Sequence, residues 1–288
     1  MATVLKGASV ANSIRDRASS MVSVLSERGI VPTLCIIRIG EKPDDLYYER
    51  NAEKQCAKVG IEVKKVTLPN DIDNSSFLSA VNEAASDQNI HGILLLRPVP
   101  SYLDESKALE LIPYEKDVDG CTLASMARIY SDPSNCFAPC TAQAVIEILD
   151  YYGISVSQKK VTVLGRSLVS GKPAAMLLLA RNATVTICHS KTIDPASISR
   201  ESEILVTCTG IAQSVGNEYF NPNQTVIDVG ICSTPDGGIC GDLKYEDALN
   251  TVNAVTPVPG GVGSVTTSVL ALHVAQAAEL QSVFQKGE

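Results

Sequence analysis

The stretch KKVTVLGRSLVSGKPAAMLLLARNATVTICHSKT, Lys159 to Thr192, decides the fold. It reads as strand, glycine turn, helix, strand. Val161, Val163 and Leu164 form a short β-rich apolar run, and Gly165 stops it. Gly171-Lys172-Pro173 then opens a helix, with proline near a first-turn position where a missing N–H costs nothing. Ala174 to Ala180 are strong helix formers. Thr184 to Cys188 is a second β-branched run, so the unit is βαβ and its strands are parallel.

The turn after the first strand of such a unit presents free backbone N–H groups and a helix N-terminus above the sheet, where phosphate is favoured. The spacing is not G-x-G-x-x-G, because RSLVS separates Gly165 from Gly171. On glycines alone, a phosphate cradle and a purely structural βα turn carry equal weight. The second strand adds information. NAD sites usually carry Asp or Glu about 20 residues past the first glycine, to hold the ribose 2′-hydroxyl. No acidic residue lies between Arg166 and Ile193; the strand ends instead in His189-Ser190-Lys191. Cations and a hydroxyl suit a 2′-phosphate, so the local chemistry favours NADP, with NAD as the alternative. Arg166 and Lys191 also fit ordinary solvated surface charges.

Outward from this unit, strands and helices alternate. Ala8 to Glu27 is expected as an amphipathic helix, with Val10, Ile14, Ala18 and Val22 four apart. A strand over Thr33 to Ile39 follows, then a helix capped by Asp44 or Asp45 that runs to Val59 and stops at Gly60. Ile61 to Leu68 reads as a strand, and Asn74-Ser75-Ser76 as the cap of a helix over Phe77 to Ala85. Gly92 to Leu96 is fully apolar and is expected at the centre of its sheet. A helix over Glu105 to Leu111 leads to a turn at Glu115 to Gly120, and Thr141 opens the helix that enters the βαβ unit. Apolar strands at Ile204 to Cys208, Thr225 to Val229 and Val252 to Val255 follow, then a rigid TPVPGGVG loop at Thr256 to Gly263. The last helix starts near Ser264 and runs to about Phe284. The expected class is α/β: two α/β domains with a cleft between them, the second a Rossmann-like NAD(P)-binding domain. Residues 1–140 plus 265–288 form the first and 141–264 the second.

The totals narrow the function classes. The chain has 288 residues, 45 % of them hydrophobic, which easily supports two modest cores. A net charge of −8 argues against nucleic acid or a membrane surface as partner. No apolar run is long enough to cross a membrane, and the charged N-terminus lacks an apolar signal core, so a cytoplasmic location is expected. Nine cysteines without a CxxC pair, and three scattered histidines, predict reduced thiols and no metal site. Cys140, between Pro139 and Thr141, is expected to pack rather than to act as a nucleophile. His91 and His273 are expected to be structural.

Several segments together resemble the methylenetetrahydrofolate dehydrogenase/cyclohydrolase family. They are Gly40-Glu41-x-Pro43 with Tyr48, Pro98-x-Pro100, Lys116-Asp117-Val118-Asp119-Gly120, Pro139-Cys140-Thr141, Gly165-Arg166-Ser167 and Gly171-Lys172-Pro173. Cys188-His189-Ser190-Lys191-Thr192, Ile227-Asp228-x-Gly230-Ile231 and Thr256 to Gly263 complete an ordered set that spans almost the whole chain. The resemblance implies hydride transfer from 5,10-methylenetetrahydrofolate to NADP, in a homodimer. It implies that Tyr48 stacks along the folate, Asp119 holds the pterin, and Pro257, Gly260 and Gly261 line the cleft nearby. Tyr48 and Asp119 are the residues expected at the chemistry. Gly165, Arg166, Ser167, Gly171, Ser190, Thr209, Gly230 and Ile231 are implied to face the dinucleotide. Hydride loss from the methylene carbon is assisted by the adjacent nitrogen lone pair, so the protein must mainly align the reactants and exclude water.

The chain departs from the family at two places. Bifunctional members carry Tyr-x-x-x-Lys on the second helix; here Tyr48 is followed at that place by Ala52. They carry Gln where this chain has Leu96. In the family, that Lys and Gln serve the hydrolysis of the methenyl product. Lys54 is about 120° around the helix from Tyr48, against about 40° for position 52, and so points elsewhere. Arg97 is too basic to accept a proton. The sequence therefore predicts a dehydrogenase with cyclohydrolase activity lost or very weak. Its rivals are the ordinary bifunctional enzyme and a catalytically silent folate- or nucleotide-binding protein. A smaller departure is Ser264 in place of the usual proline after the loop, expected as a cap of the last helix.

Overall fold

The computed structural model describes residues 1–234 and 237–284. Among them are strands β1 (Thr3–Val4), β2 (Thr33–Ile39), β3 (Glu62–Leu68), β4 (Gly92–Leu95), β5 (Lys160–Leu164), β6 (Thr184–Cys188), β7 (Ile204–Thr207), β8 (Thr225–Asp228), β9 (Cys232–Ser233), β10 (Ile239–Cys240) and β11 (Ala254–Val255). The chain divides into two compact units, one of residues 1–11 with 141–266 and the other of residues 12–140 with 267–288.

The unit of residues 12–140 and 267–288 contains a parallel sheet in the order β3-β2-β4. The central strand is β2, not the apolar β4 expected there. Its TLCIIRI sequence is buried from Leu34 to Ile39, and both neighbours pair with it in parallel. β4 is equally buried without being central, because other chain covers its edge. Ile93 N–H donates to Lys116 O at 2.7 Å, and a Cβ on Gly92 would meet Val118 and Val274 within about 3 Å. Phe77, Val81 and Ala84 of the helix Asn74–Ser86 pack on one face with Ile37, Ile93 and Leu95.

Two helix starts differ from expectation. In the helix Pro43–Val59 the N-cap position falls on Lys42, without a side-chain cap, and Pro43 occupies the first turn. Asp44 and Asp45 lie inside that turn, where their charge still complements the helix dipole. Asp73, not Asn74, caps Asn74–Ser86, its carboxylate accepting from Ser76 N–H at 2.9 Å. Gly60 closes Pro43–Val59 in the left-handed conformation, φ 81°, as expected. The helix Leu123–Ser131, capped by Thr122, was not anticipated.

The other unit carries a six-stranded parallel sheet in the order β1-β11-β8-β7-β5-β6. Lys159 to Thr192 forms the βαβ unit read from sequence: β5, the helix Gly171–Ala180 and β6, with Leu164 opposite Cys188. Residues 1–11, expected with residues 12–140, belong here instead. β1 adds to the edge of β11, with Thr3 N–H donating to Asn253 O and Leu5 N–H to Val255 O, both at 2.8 Å. Two residues are too short a strand to signal itself in sequence. The short antiparallel hairpin β9–β10 and the helices Pro195–Arg200 and Tyr245–Thr251 are further additions. Ser264 does not cap the last helix, Thr266–Phe284. It lies in a 3₁₀ turn before it, its hydroxyl donating to Gly261 O at 2.7 Å.

Candidate functional site

In the unit built on β2, a buried ion pair sets the helix Pro43–Val59. Arg38 Nε, on the solvent-poor face of β2, lies 2.8 Å from Glu49 Oε2. The same guanidinium donates to the carbonyl of Gly40, where φ of 70° turns the chain from strand to helix. Glu49, Ala52, Cys56 and Val59 therefore face inward, and Tyr48 sits beside them near the C-terminal end of β2.

Asp119 comes from the turn that follows the helix Glu105–Leu111. Asp117, fully buried, accepts from Cys121 N–H at 3.0 Å and Thr122 N–H at 2.8 Å, which fixes that turn. Gly120 has φ of 61°, and a Cβ there would lie 2.4 Å from Phe137 O, so only glycine fits. The carboxyl of Asp119 lies beside Cys140, whose thiol donates to Val118 O at 3.5 Å. Behind Cys140, the His273 ring donates to Val118 O at 2.9 Å and Phe137 packs against the ring.

The electrostatics join these residues. Burial, and next the Asp117 carboxylate, push Asp119 up to about 6. Burial, and next the Asp119 carboxylate, raise the Tyr48 hydroxyl well above its ordinary value. Both side chains keep part of their surface open, yet their polar ends lie deep enough for burial to be the leading cause. Burial and Asp119 likewise raise the Cys140 thiol, which makes it a poor nucleophile and agrees with a packing role. The structure thus brings Tyr48 and Asp119 together, with Cys140 between them and His273.

The residues relevant to hydrolysis are also visible. Ala52 is 0 % exposed and Leu96 is 7 % exposed, while Lys54 lies on the exposed side of its helix. A separate cavity of about 590 Å³ opens among Thr33, His91 and Gln281. It lies at the strand N-terminal ends, away from Tyr48 and Asp119.

In the other unit the expected dinucleotide residues gather at the C-terminal ends of the strands. Gly165 follows β5 with φ of 127°, and a Cβ there would lie 2.3 Å from Cys208 O. A Cβ on Gly171 would lie 2.3 Å from Gly165 O. Both glycines are therefore required by backbone approach. Ser167 Oγ accepts from Ser170 N–H at 3.1 Å and closes the turn between them. Because Leu164 pairs with Cys188, Arg166 and Ser190 lie beyond the ends of adjacent strands, and both are exposed. Thr209 follows β7; Gly230 and the exposed Ile231 follow β8.

Asp242, which sequence reasoning missed, holds these last loops. Its carboxylate accepts from Thr209 N–H at 2.5 Å and Gly210 N–H at 3.1 Å. Gly230 packs so closely on it that a Cβ would lie 2.2 Å from Oδ1. Asp228 accepts from Gly230 N–H at 3.0 Å, and burial raises it to about 6. The Gly241-Asp242 pair after an apolar residue is an ordinary turn signal, so only the fold reveals this role. Pro257, Gly260 and Gly261 belong to this unit too, in a loop with a cis Val258–Pro259 bond. That loop is tied to the chain's start by Gly7 N–H donating to Gly260 O at 2.8 Å.

Two family models cover most of the sequence as consecutive segments. Residues 5–119 match the tetrahydrofolate dehydrogenase/cyclohydrolase catalytic domain, and residues 139–282 match the NAD(P)-binding domain of the same family. The chain belongs to the tetrahydrofolate dehydrogenase/cyclohydrolase family. A relative from Carboxydothermus hydrogenoformans, named bifunctional protein FolD, is 48 % identical over 97 % of this chain and 98 % of its own. The bifunctional FolD structure from Campylobacter jejuni superposes with a TM-score of 0.94 at 29 % identity, over 97 % of this chain and 99 % of that one. The Trypanosoma brucei dehydrogenase-cyclohydrolase, solved with NADP cofactor and inhibitor, gives 0.90 at 34 % identity over 98 % of each chain. Membership in this family brings dehydrogenase chemistry on tetrahydrofolate and an NAD(P)-binding domain. The loss of hydrolysis expected from Ala52 and Leu96 gains no support from these relatives, whose names favour the bifunctional alternative. Among the described residues no helix is long and apolar enough to cross a membrane.

Proposed function

We propose that this chain oxidises 5,10-methylenetetrahydrofolate to 5,10-methenyltetrahydrofolate with NADP. The observation that carries this reading is the shared environment of Tyr48 and Asp119 at the strand ends. It joins an aromatic platform to a carboxyl poised near 6. The carboxylate of Asp119 accepts hydrogen bonds from the pterin N–H donors, a charge-assisted contact. Tyr48 lies along the folate and fixes its plane.

The glycine turn suits the dinucleotide. Gly165 and Gly171 let the first βα turn close tightly on Cys208 and on itself, with Arg166 and Ser167 at its mouth, the place in such a unit where phosphate is favoured. Arg166 and Ser190, with no carboxylate beside them at the end of β6, suit a 2′-phosphate. Thr209 and Gly230, pinned by Asp242, and Ile231 border the nicotinamide end. When bound, NADP supplies the hydride acceptor. The protein's part is orientation and exclusion of water, because the substrate nitrogen assists hydride departure and no protein base is needed.

For the second step, hydrolysis of the methenyl product to 10-formyltetrahydrofolate, the relatives' names lend support to the bifunctional reading. One observation favours the contrary reading. Position 52 is a fully buried alanine and position 96 a buried leucine, so neither offers a titratable or hydrogen-bonding group. A positioned acid–base group contributes about 10²–10⁴-fold to such a step.

A single absorbance assay tests both levels. Reduced cofactor forming with NADP and methylenetetrahydrofolate, faster than with NAD, supports the dehydrogenase; no turnover with either sinks it. Decay of methenyl absorbance then decides the second step. Enzyme-dependent acceleration assigns the chain to the bifunctional class, and decay at the spontaneous rate assigns it to dehydrogenases without hydrolysis.

A further inference from the structure

The hairpin β9–β10 pairs two cysteines directly. Its antiparallel register sets Cys232 opposite Cys240 and Ser233 opposite Ile239. Thr234 N–H donates to Gly238 O at 2.9 Å, and Gly237, φ 82°, makes the turn. Residues directly opposite in an antiparallel pair project from the same face. Their Cα atoms stand about 4.5 or 5.5 Å apart, depending on whether the pair is hydrogen-bonded. Both values fall inside the roughly 4.4–6.8 Å window that a disulfide spans. Both thiols are free and partly exposed, whereas Cys35, Cys56, Cys121, Cys140 and Cys188 are buried.

We propose that Cys232 and Cys240 form a reversible intramolecular disulfide when the folded protein meets a low-molecular-weight disulfide such as oxidised glutathione. One cysteine thiolate attacks a glutathione sulfur, forming a mixed disulfide and expelling one glutathione thiolate. The second cysteine thiolate then attacks the protein-bound sulfur and expels the other. The two cysteines are oxidised, one glutathione disulfide is reduced to two thiols, and the two cysteine protons go to the departing thiolates. Burial comes first and the Asp242 carboxylate second in raising the Cys232 thiol, with Cys240 a third cause, which places the two sulfurs within each other's field. The raised value slows attack by Cys232 on an external disulfide without preventing its intramolecular step.

The site has a functional address. Cys232 immediately follows Ile231, and Cys240 lies two residues before Asp242, which holds Thr209 and Gly210. A bond across the hairpin ties together the two segments that supply these loops. The inference rests on the hairpin's register and not on the activity proposed above. Its test reads thiols, so the two can fail independently.

The test treats native full-length protein with oxidised glutathione and then maps the products by thiol titration and peptide mass. The expected result is loss of two of nine thiols and a mass decrease of two hydrogens. It also includes one linked peptide pair containing Cys232 and Cys240, and full reversal by dithiothreitol. Cys232→Ser and Cys240→Ser, conservative changes at partly exposed positions, should each retain one glutathione adduct and form no link. Wild-type protein that keeps all nine thiols, holds stable glutathione adducts, or links Cys136 or Cys208 instead overturns the proposal.

Discussion

Asp119 shows how one residue can make this protein sensitive to pH. Its native carboxyl holds a proton better than the unfolded one. It therefore favours the folded state below 3.8, and that advantage is lost as pH rises through about 6. Asp119→Asn should flatten the pH dependence of thermal stability between those values, which melts at a series of pH values will read. Only the carboxylate accepts fully from pterin N–H groups, so folate affinity in the wild type should rise with pH across about 6. In Asp119→Ala affinity should fall with the fold intact; unchanged titration of folate would remove Asp119 from the site. Arg166 makes a separate prediction. Because it is exposed beyond the end of β5 and no acidic residue lies between it and Ile193 in sequence, Arg166→Ala should raise KM for NADP and leave NAD nearly unchanged; equal effects on both cofactors would contradict a 2′-phosphate contact. Ala52→Lys is a harsher change, since a filled position takes extra atoms at a cost of about 1–3 kcal/mol before any charge is buried. Its melting temperature should fall even with Leu96→Gln alongside.

At the scale of elements, the loops at the strand ends of the six-stranded sheet depend on one carboxylate and a few glycines. Asp242→Ala would strip the acceptor from Thr209 and Gly210 N–H. Bonds to a charged group are worth about 1.5–3 kcal/mol each. The variant should therefore lose stability, raise KM for NADP and keep its affinity for folate, a separation that paired titrations measure. Gly165→Ala should cost at least about 1–3 kcal/mol through its backbone conformation alone, and more through the contact with Cys208. These loops also mark where sequence reading stops. The βαβ unit was legible because apolar periodicity, a glycine turn and a first-turn proline all agree over Lys159 to Thr192. Tyr48 and Asp119 stood out only through the ordered motifs, since each alone is an ordinary residue in a helix or turn, whereas Arg166 drew notice from its glycine turn and the lack of acids after it. Asp242 gave no signal, because its partners are 32 and 33 residues away and only the sheet brings them to it. The order of β2 and β4 was hidden for a related reason: burial of β4 comes from Val118 and Val274, and apolar character cannot distinguish a central strand from a covered edge. β1 escaped because its strand character comes from its partner rather than from its two residues.

On the scale of the whole molecule, the chain passes between its two units after residues 11, 140 and 266, so neither unit is one continuous segment. The unit with β2 needs the helix Thr266–Phe284, whose Val274 covers Gly92 and whose Gln281 amide donates to the carbonyls of His91 and Glu115 at 2.8 and 3.1 Å. A fragment of residues 12–140 should therefore show no cooperative thermal transition by circular dichroism, and supplying residues 267–288 as a peptide should restore part of it. A sharp transition in the fragment alone would show that the last helix is dispensable. The same connectivity bears on synthesis. Thr3 and Val4 leave the ribosome long before their strand partners, Ala254 and Val255. Until Val255 emerges the nascent chain carries an edge strand with no edge to join, and Gly7 waits for Gly260. The six-stranded sheet reaches its final order only after Val255 has emerged, so its first strand in sequence is its last to be placed.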